Sequence, residues 1–189
     1  MEYILSFPVS LRDYYWGKML GRFLTVFLPV FFALVMAVVF GLFKGGDIPW
    51  NMIVLYTVIL FSLSFTFLGI AFFISSVVKS TDIALGSSFM VWIILLGFID
   101  IALIGLMLQN RVNDEVIISI AMLNPIEVFR IGAISLFDPE LTVIGPVAYY
   151  LLDSLGAKLL MAYAVLYPLV LGAIFAFWGY RVFKKKDLL

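Results

Sequence analysis

The chain has 189 residues, 65% of them hydrophobic and only 13% charged, where a soluble domain is nearer about one-half apolar and one-quarter charged. This is the composition of an all-α polytopic membrane protein, and a single membrane domain over residues 1–189 accounts for it. Twelve basic and twelve acidic residues cancel, which argues against nucleic acid as a partner, and the absence of Cys and His removes disulfides, thiolate sites, thiol nucleophiles and the commonest general base.

Residues 1–22 form the longest stretch that must live at a membrane surface. Pro8 disfavours helix at Phe7, Ser10 stands where an N-cap is wanted, and Asp13 can return the capping bond. Tyr14, Tyr15 and Trp16 are headgroup-level residue types, and Gly17 and Gly21 would let another helix approach closely. The pattern predicts a surface helix over about 8–17 feeding a first span over about 22–43; an ordinary juxtamembrane segment is the alternative. Residues 1–7 are short and carry an acid, unlike a cleavable signal peptide.

Residues 23–43 would make roughly 32 Å of helix, enough for the hydrocarbon layer, with a kink at Pro29. Residues 44–51 read as a loop anchored by Trp50. The second span is expected over about 52–78, with Ser62, Ser64, Thr66 and Gly69 suited to helix–helix contact. Lys79, Ser80, Thr81 and Asp82 form a tight turn, and a third span follows over about 83–108, carrying Gly86, Ser87, Ser88 and Asp100.

The region 109–157 reads as lying outside the spans. Residues 116–122 are apolar but too short to cross. A helix then starts with Asn124 as N-cap, Pro125 at the first turn and Glu127 at the third position. Ile126, Phe129, Ala133 and Phe137 share a face, with Glu127 and Arg130 elsewhere, which predicts an amphipathic helix at an interface. Pro146 and Asp153 argue against a span over 141–155. The last span is expected over about 158–183.

Four spans put both termini on one side. Arg12, Lys18, Arg22, Lys79, Arg181, Lys184, Lys185 and Lys186 fall there, against Lys44, Arg111, Arg130 and Lys158 opposite, so eight of the twelve basic residues mark the terminal side as cytoplasmic.

Chemistry is sparse. No phosphate-binding glycine loop occurs, so ATP is not bound in that manner. No nucleophile–base pair is visible, and no catalytic residue, metal site or cofactor is expected. Asp100 lies within a span, where an acid is costly and faces a bundle interior or a wet cavity. It either pairs with a cation such as Lys158 or Arg111 or serves a substrate path or gate.

The wording of residues 2–10, Glu-Tyr-Ile-Leu-Ser-Phe-Pro-Val-Ser, followed by Arg12-Asp13 and Gly17-Lys18, resembles the loop between the second and third spans of ABC-2 type transporter permeases. In that family the loop holds the coupling helix that touches the ATPase subunit, commonly with a basic residue directly after Pro-Val-Ser; here Leu11 stands there and Arg12 follows. Asn124-Pro125-Ile126-Glu127-Val128-Phe129-Arg130 is similar to the permeases of nitrous oxide reductase maturation, a copper-linked subgroup. The tail, Phe183, three lysines and Asp187, resembles the family's ending.

The resemblance implies a permease subunit whose four spans are the family's third to sixth, the first two being absent by truncation, gene splitting or a misplaced start. It implies transport, or work on an external partner protein, driven by a separate ABC ATPase, with a second permease copy completing a homodimer in the lipid bilayer of the cell membrane. Pro8, Ser10, Arg12, Asp13, Lys79 and Asp82 would carry ATPase coupling. The alternatives are a non-transporting scaffold and an inactive fragment. Met52, Met107, Met122 and Met161 are the thioethers expected near the outer side, but they fall at no adjacent helical spacing, so a mechanical role without tight copper is expected.

Overall fold

The computed structural model describes residues 10–109, 112–138 and 146–186. Among them the chain is helical, in the order α1 (Leu11–Phe43), α2 (Trp50–Val77), α3 (Thr81–Ile93), a π-helical stretch (Ile94–Phe98), α4 (Ile99–Gln109), α5 (Asp114–Leu123), α6 (Pro125–Phe137) and α7 (Pro146–Lys186). Four segments are long and apolar enough to cross a bilayer: α1, α2, the continuous Thr81–Leu108 and the Gly156–Lys185 part of α7. This is an all-α polytopic membrane protein.

Ser10 caps α1 in extended backbone: its hydroxyl accepts from the Asp13 amide at 3.1 Å and donates to Asp13 Oδ2 at 2.7 Å. From there α1 runs unbroken past Gly17, Gly21 and Pro29 to Phe43, so the predicted surface helix and first span are one rod. Nothing in the described chain approaches within 4 Å of where a side chain would start at Gly17 or Gly21. The buried residues of α1 are Tyr15, Met19 and Phe23, all in its first half.

The centre of the molecule is the packing of α2 on α7. Gly69 and Gly172 meet backbone to backbone, which only the absence of a Cβ on both sides allows. Ser62 donates to Val165 O at 2.6 Å and Thr66 donates to Pro168 O, with both side chains fully buried. Pro168 lacks an amide and loosens the preceding turn of α7; the hydroxyls of α2 meet the carbonyls beside it. Gly156, at φ 73° and ψ 155°, breaks α7 into the spanning helix and a shorter N-terminal arm, a backbone state that suits glycine.

The pair α5–α6 turns through 98° at Asn124. The helix expected to lie on a surface instead packs into the bundle against α2 and α7. Its buried residues are Pro125, Ile126, Val128, Ile131, Gly132 and Leu136, whereas Phe137 is exposed. The buried face is therefore rotated from the one that the apolar periodicity selected, because Gly132 seats against Ala164 and Ile59.

Candidate functional site

Two polar constellations stand at opposite ends of the bundle. The up-and-down order of spans brings the start of α1, the end of α2, the start of α3 and the end of α7 to one end, the terminal end. Arg12, Asp13 and Lys18 are exposed on α1 there, and Lys79 and Asp82 are exposed around the start of α3. Pro8 lies outside the described residues. Beneath this rim is an aromatic collar: Tyr15 has ring centroids of Trp16, Phe72, Tyr180 and Phe183 within 5.5–5.6 Å. The Tyr15 hydroxyl donates to Ala176 O of α7 at 2.9 Å, and Tyr14 stacks on Phe183.

At the other end α5 and α6 form a hairpin whose tip reaches the middle of the third span. Asn124, 1% exposed, occupies the tip. Its Oδ1 accepts from the Ile126 amide at 3.0 Å and its Nδ2 donates to Leu95 O at 2.7 Å. Leu95 belongs to the π-helical stretch, about midway along Thr81–Leu108. A π-turn disturbs the regular pairing of carbonyls, and the Asn124 amide supplies a donor to one of them. Pro125 begins α6 with no amide to satisfy. The last carbonyls of α5 also need partners in apolar surroundings: Tyr163 donates to Met122 O at 2.9 Å and Tyr167 donates to Leu123 O, both from α7.

Further along α6, Arg130 joins the hairpin to α4. Its Nη1 and Nη2 both donate to Asp100 Oδ2 at 3.0 Å, and Nη1 also lies 2.9 Å from Glu127 Oε1. The second contact is short but poorly aligned, so the buried Glu127 Oε1 has no hydrogen bond of good geometry. One guanidinium thus faces two carboxylates, with side chains of Arg130, Asp100 and Glu127 respectively 43%, 25% and 12% exposed. Arg suits this place because its planar fork offers several donors at once.

The family model described as ABC-2 family transporter protein matches residues 1–188. The chain belongs to the ABC-2 transporter family. No curated protein and no solved structure matches it. Permeases of this family are transport components that work with an ABC ATPase subunit and dimerise, and the hydrolytic chemistry lies on that separate subunit.

In this permease the residues singled out by sequence gather in two groups. Ser10, Arg12, Asp13, Lys79 and Asp82 share the terminal end, whereas Asp100, Asn124, Pro125, Glu127 and Arg130 share the hairpin. The partner of Asp100 is Arg130, not Lys158; Arg111 lies outside the described residues. Arg130 and Glu127 turn toward α4 because an acid within a span needs a cation and α6 is sunk deep enough to supply one. Tyr15, Tyr163, Tyr167 and the π-turn at Leu95 escaped sequence reading. The tyrosines carry a signal in retrospect, as phenols within an apolar span that need an acceptor; a π-turn has none. Met52, Met107, Met122 and Met161 stand on four different helices.

Proposed function

We propose that this permease couples ATP hydrolysis on a separate ATPase to movement of the hairpin at the far side of the membrane, either exporting a substrate or working on an external partner protein. The observation that carries the reading is the single rod α1. It presents a capped, charged start at the terminal end and is clamped just behind it into the bundle by Tyr15. A push on Arg12 or Asp13 therefore has a rigid element to act on. Residues 6–18, including Pro8, and the turn 79–82 carry the coupling, with the exposed Arg12, Asp13, Lys18, Lys79 and Asp82 facing the ATPase on the cytoplasmic side. A second copy completes the unit in the cell membrane.

Exchange of the rim charges tests this. Arg12→Glu with Asp13→Lys should weaken co-purification of the ATPase at least severalfold while membrane insertion is kept, and unchanged association would overturn the reading. The wording Asn124-Pro125-Ile126-Glu127 supports nitrous oxide reductase maturation as the setting. There the chain relays motion, and copper is handled by its partners, since copper(I) prefers thiolate, imidazole and clustered thioether ligands.

A further inference from the structure

We propose that the Tyr15 hydroxyl is the positioning contact through which the start of α1 moves α7, and with it the hairpin. The proposal rests on the coupling reading above. Three observations carry it.

First, α1 is held to the rest of the chain near its base: Tyr15, Met19 and Phe23 are its buried residues, and Val26, Leu28, Val30, Phe32, Val35 and Met36 beyond them are exposed. Beyond Phe23 the helix touches α2, with Phe27 on Phe61, and is joined to it by residues 44–49, so its contact with α7 is made at the base. Second, the fastening is directional as well as apolar. Tyr15, 3% exposed, donates to Ala176 O at 2.9 Å. The space is shaped for this hydroxyl: a Cβ at Gly179 would sit 2.5 Å from Tyr15 Oη and 3.0 Å from Phe73 Cα. Third, α7 carries directional bonds to the hairpin farther along, near its middle, from Tyr163 and Tyr167 to Met122 and Leu123. Alongside the hairpin bonds and between them and Ala176, α7 is locked to α2 by Ser62, Thr66 and the Gly69–Gly172 contact. A movement entering at Tyr15 therefore meets one stiff body, α2 with α7, that ends on the hairpin. Apolar rings alone would let α1 slide against α7; a hydrogen bond fixes the register.

The experiment uses the full chain with its ATPase in lipid nanodiscs and a single cysteine at Asn113, an exposed position just before α5. The rate of its reaction with a maleimide is compared between the nucleotide-free and the vanadate-trapped complex. The otherwise unchanged chain should show a change of at least threefold. Tyr15→Phe keeps the ring and removes the hydroxyl; it should retain the ATPase and its hydrolysis while the change collapses to less than 1.5-fold. Phe72→Leu loosens the same ring cluster without touching the hydroxyl. It should lower the thermal midpoint yet keep the threefold response, which separates positioning from packing. A full response in Tyr15→Phe with the ATPase still bound would overturn this inference alone. Failure of the unchanged chain to hold the ATPase would overturn the coupling reading and the inference with it.

Discussion

Arg130 illustrates why a charged group can sit half-buried at all. It answers Asp100 with two donors and draws in Glu127 as well, so removing it leaves two carboxylates facing each other in poorly hydrated surroundings. Breaking a buried pair from one side costs about 3–5 kcal/mol; with Arg130 43% exposed, water screens part of this and about 1–3 kcal/mol is expected. Arg130→Ala should therefore lower the detergent thermal midpoint more than Asp100→Asn does. The double variant should lose less than the sum of the two single changes, since the groups touch. Additive losses would show that the pair carries no coupling energy. Glu127→Gln removes the excess negative charge and is expected to be tolerated or mildly stabilising.

Among the elements, the hairpin depends on polar ties in a medium that offers no other partners. Asn124→Ala removes both the helix cap and the donor to Leu95 O, and about 1–3 kcal/mol of local stability should go with it. Hydrogen exchange across residues 121–128 should speed up accordingly, with α2 and α7 unchanged. Tyr163→Phe and Tyr167→Phe should each cost less, about 0.6 kcal/mol, the average for an interhelical bond in a membrane. The α2–α7 crossing fails differently. Gly172→Ala places a methyl against Thr66 Cα and Phe65 and should cost about 1–3 kcal/mol by overpacking, read as loss of folded protein on heating. Equal stability would mean that the two helices can part without penalty.

For the whole molecule, the excess of Lys and Arg at the terminal end predicts orientation. A cysteine introduced at Asn113 should react with an impermeant maleimide in intact cells, and one at Ser80 should not; the reverse pattern would invert the topology. The scattering of Met52, Met107, Met122 and Met161 over four helices leads to a second expectation. Copper(I) titrated against a competing chelator should reveal no tight site. A stoichiometric high-affinity site lost in Met107→Leu with Met161→Leu would refute the mechanical role.

The sequence determined the membrane class, the four spans, the cap at Ser10 and the start of a helix at Asn124. These follow from apolar length, local hydrogen bonding and the missing amide of proline, all of which act within a few residues. The wording of residues 2–18 and 124–130 carried the family. Only the tertiary structure decided that α1 is one rod, that α6 is sunk rather than laid flat, and that Arg130 answers Asp100. It alone joined Tyr15 to Ala176 across the chain. Helical periodicity reports that a face is apolar; it does not report how deep that face goes or which neighbour meets it. In the bilayer both sides of a helix are read as apolar, so the choice falls to close glycine contacts such as Gly69 on Gly172 and to the few polar groups that must find one another.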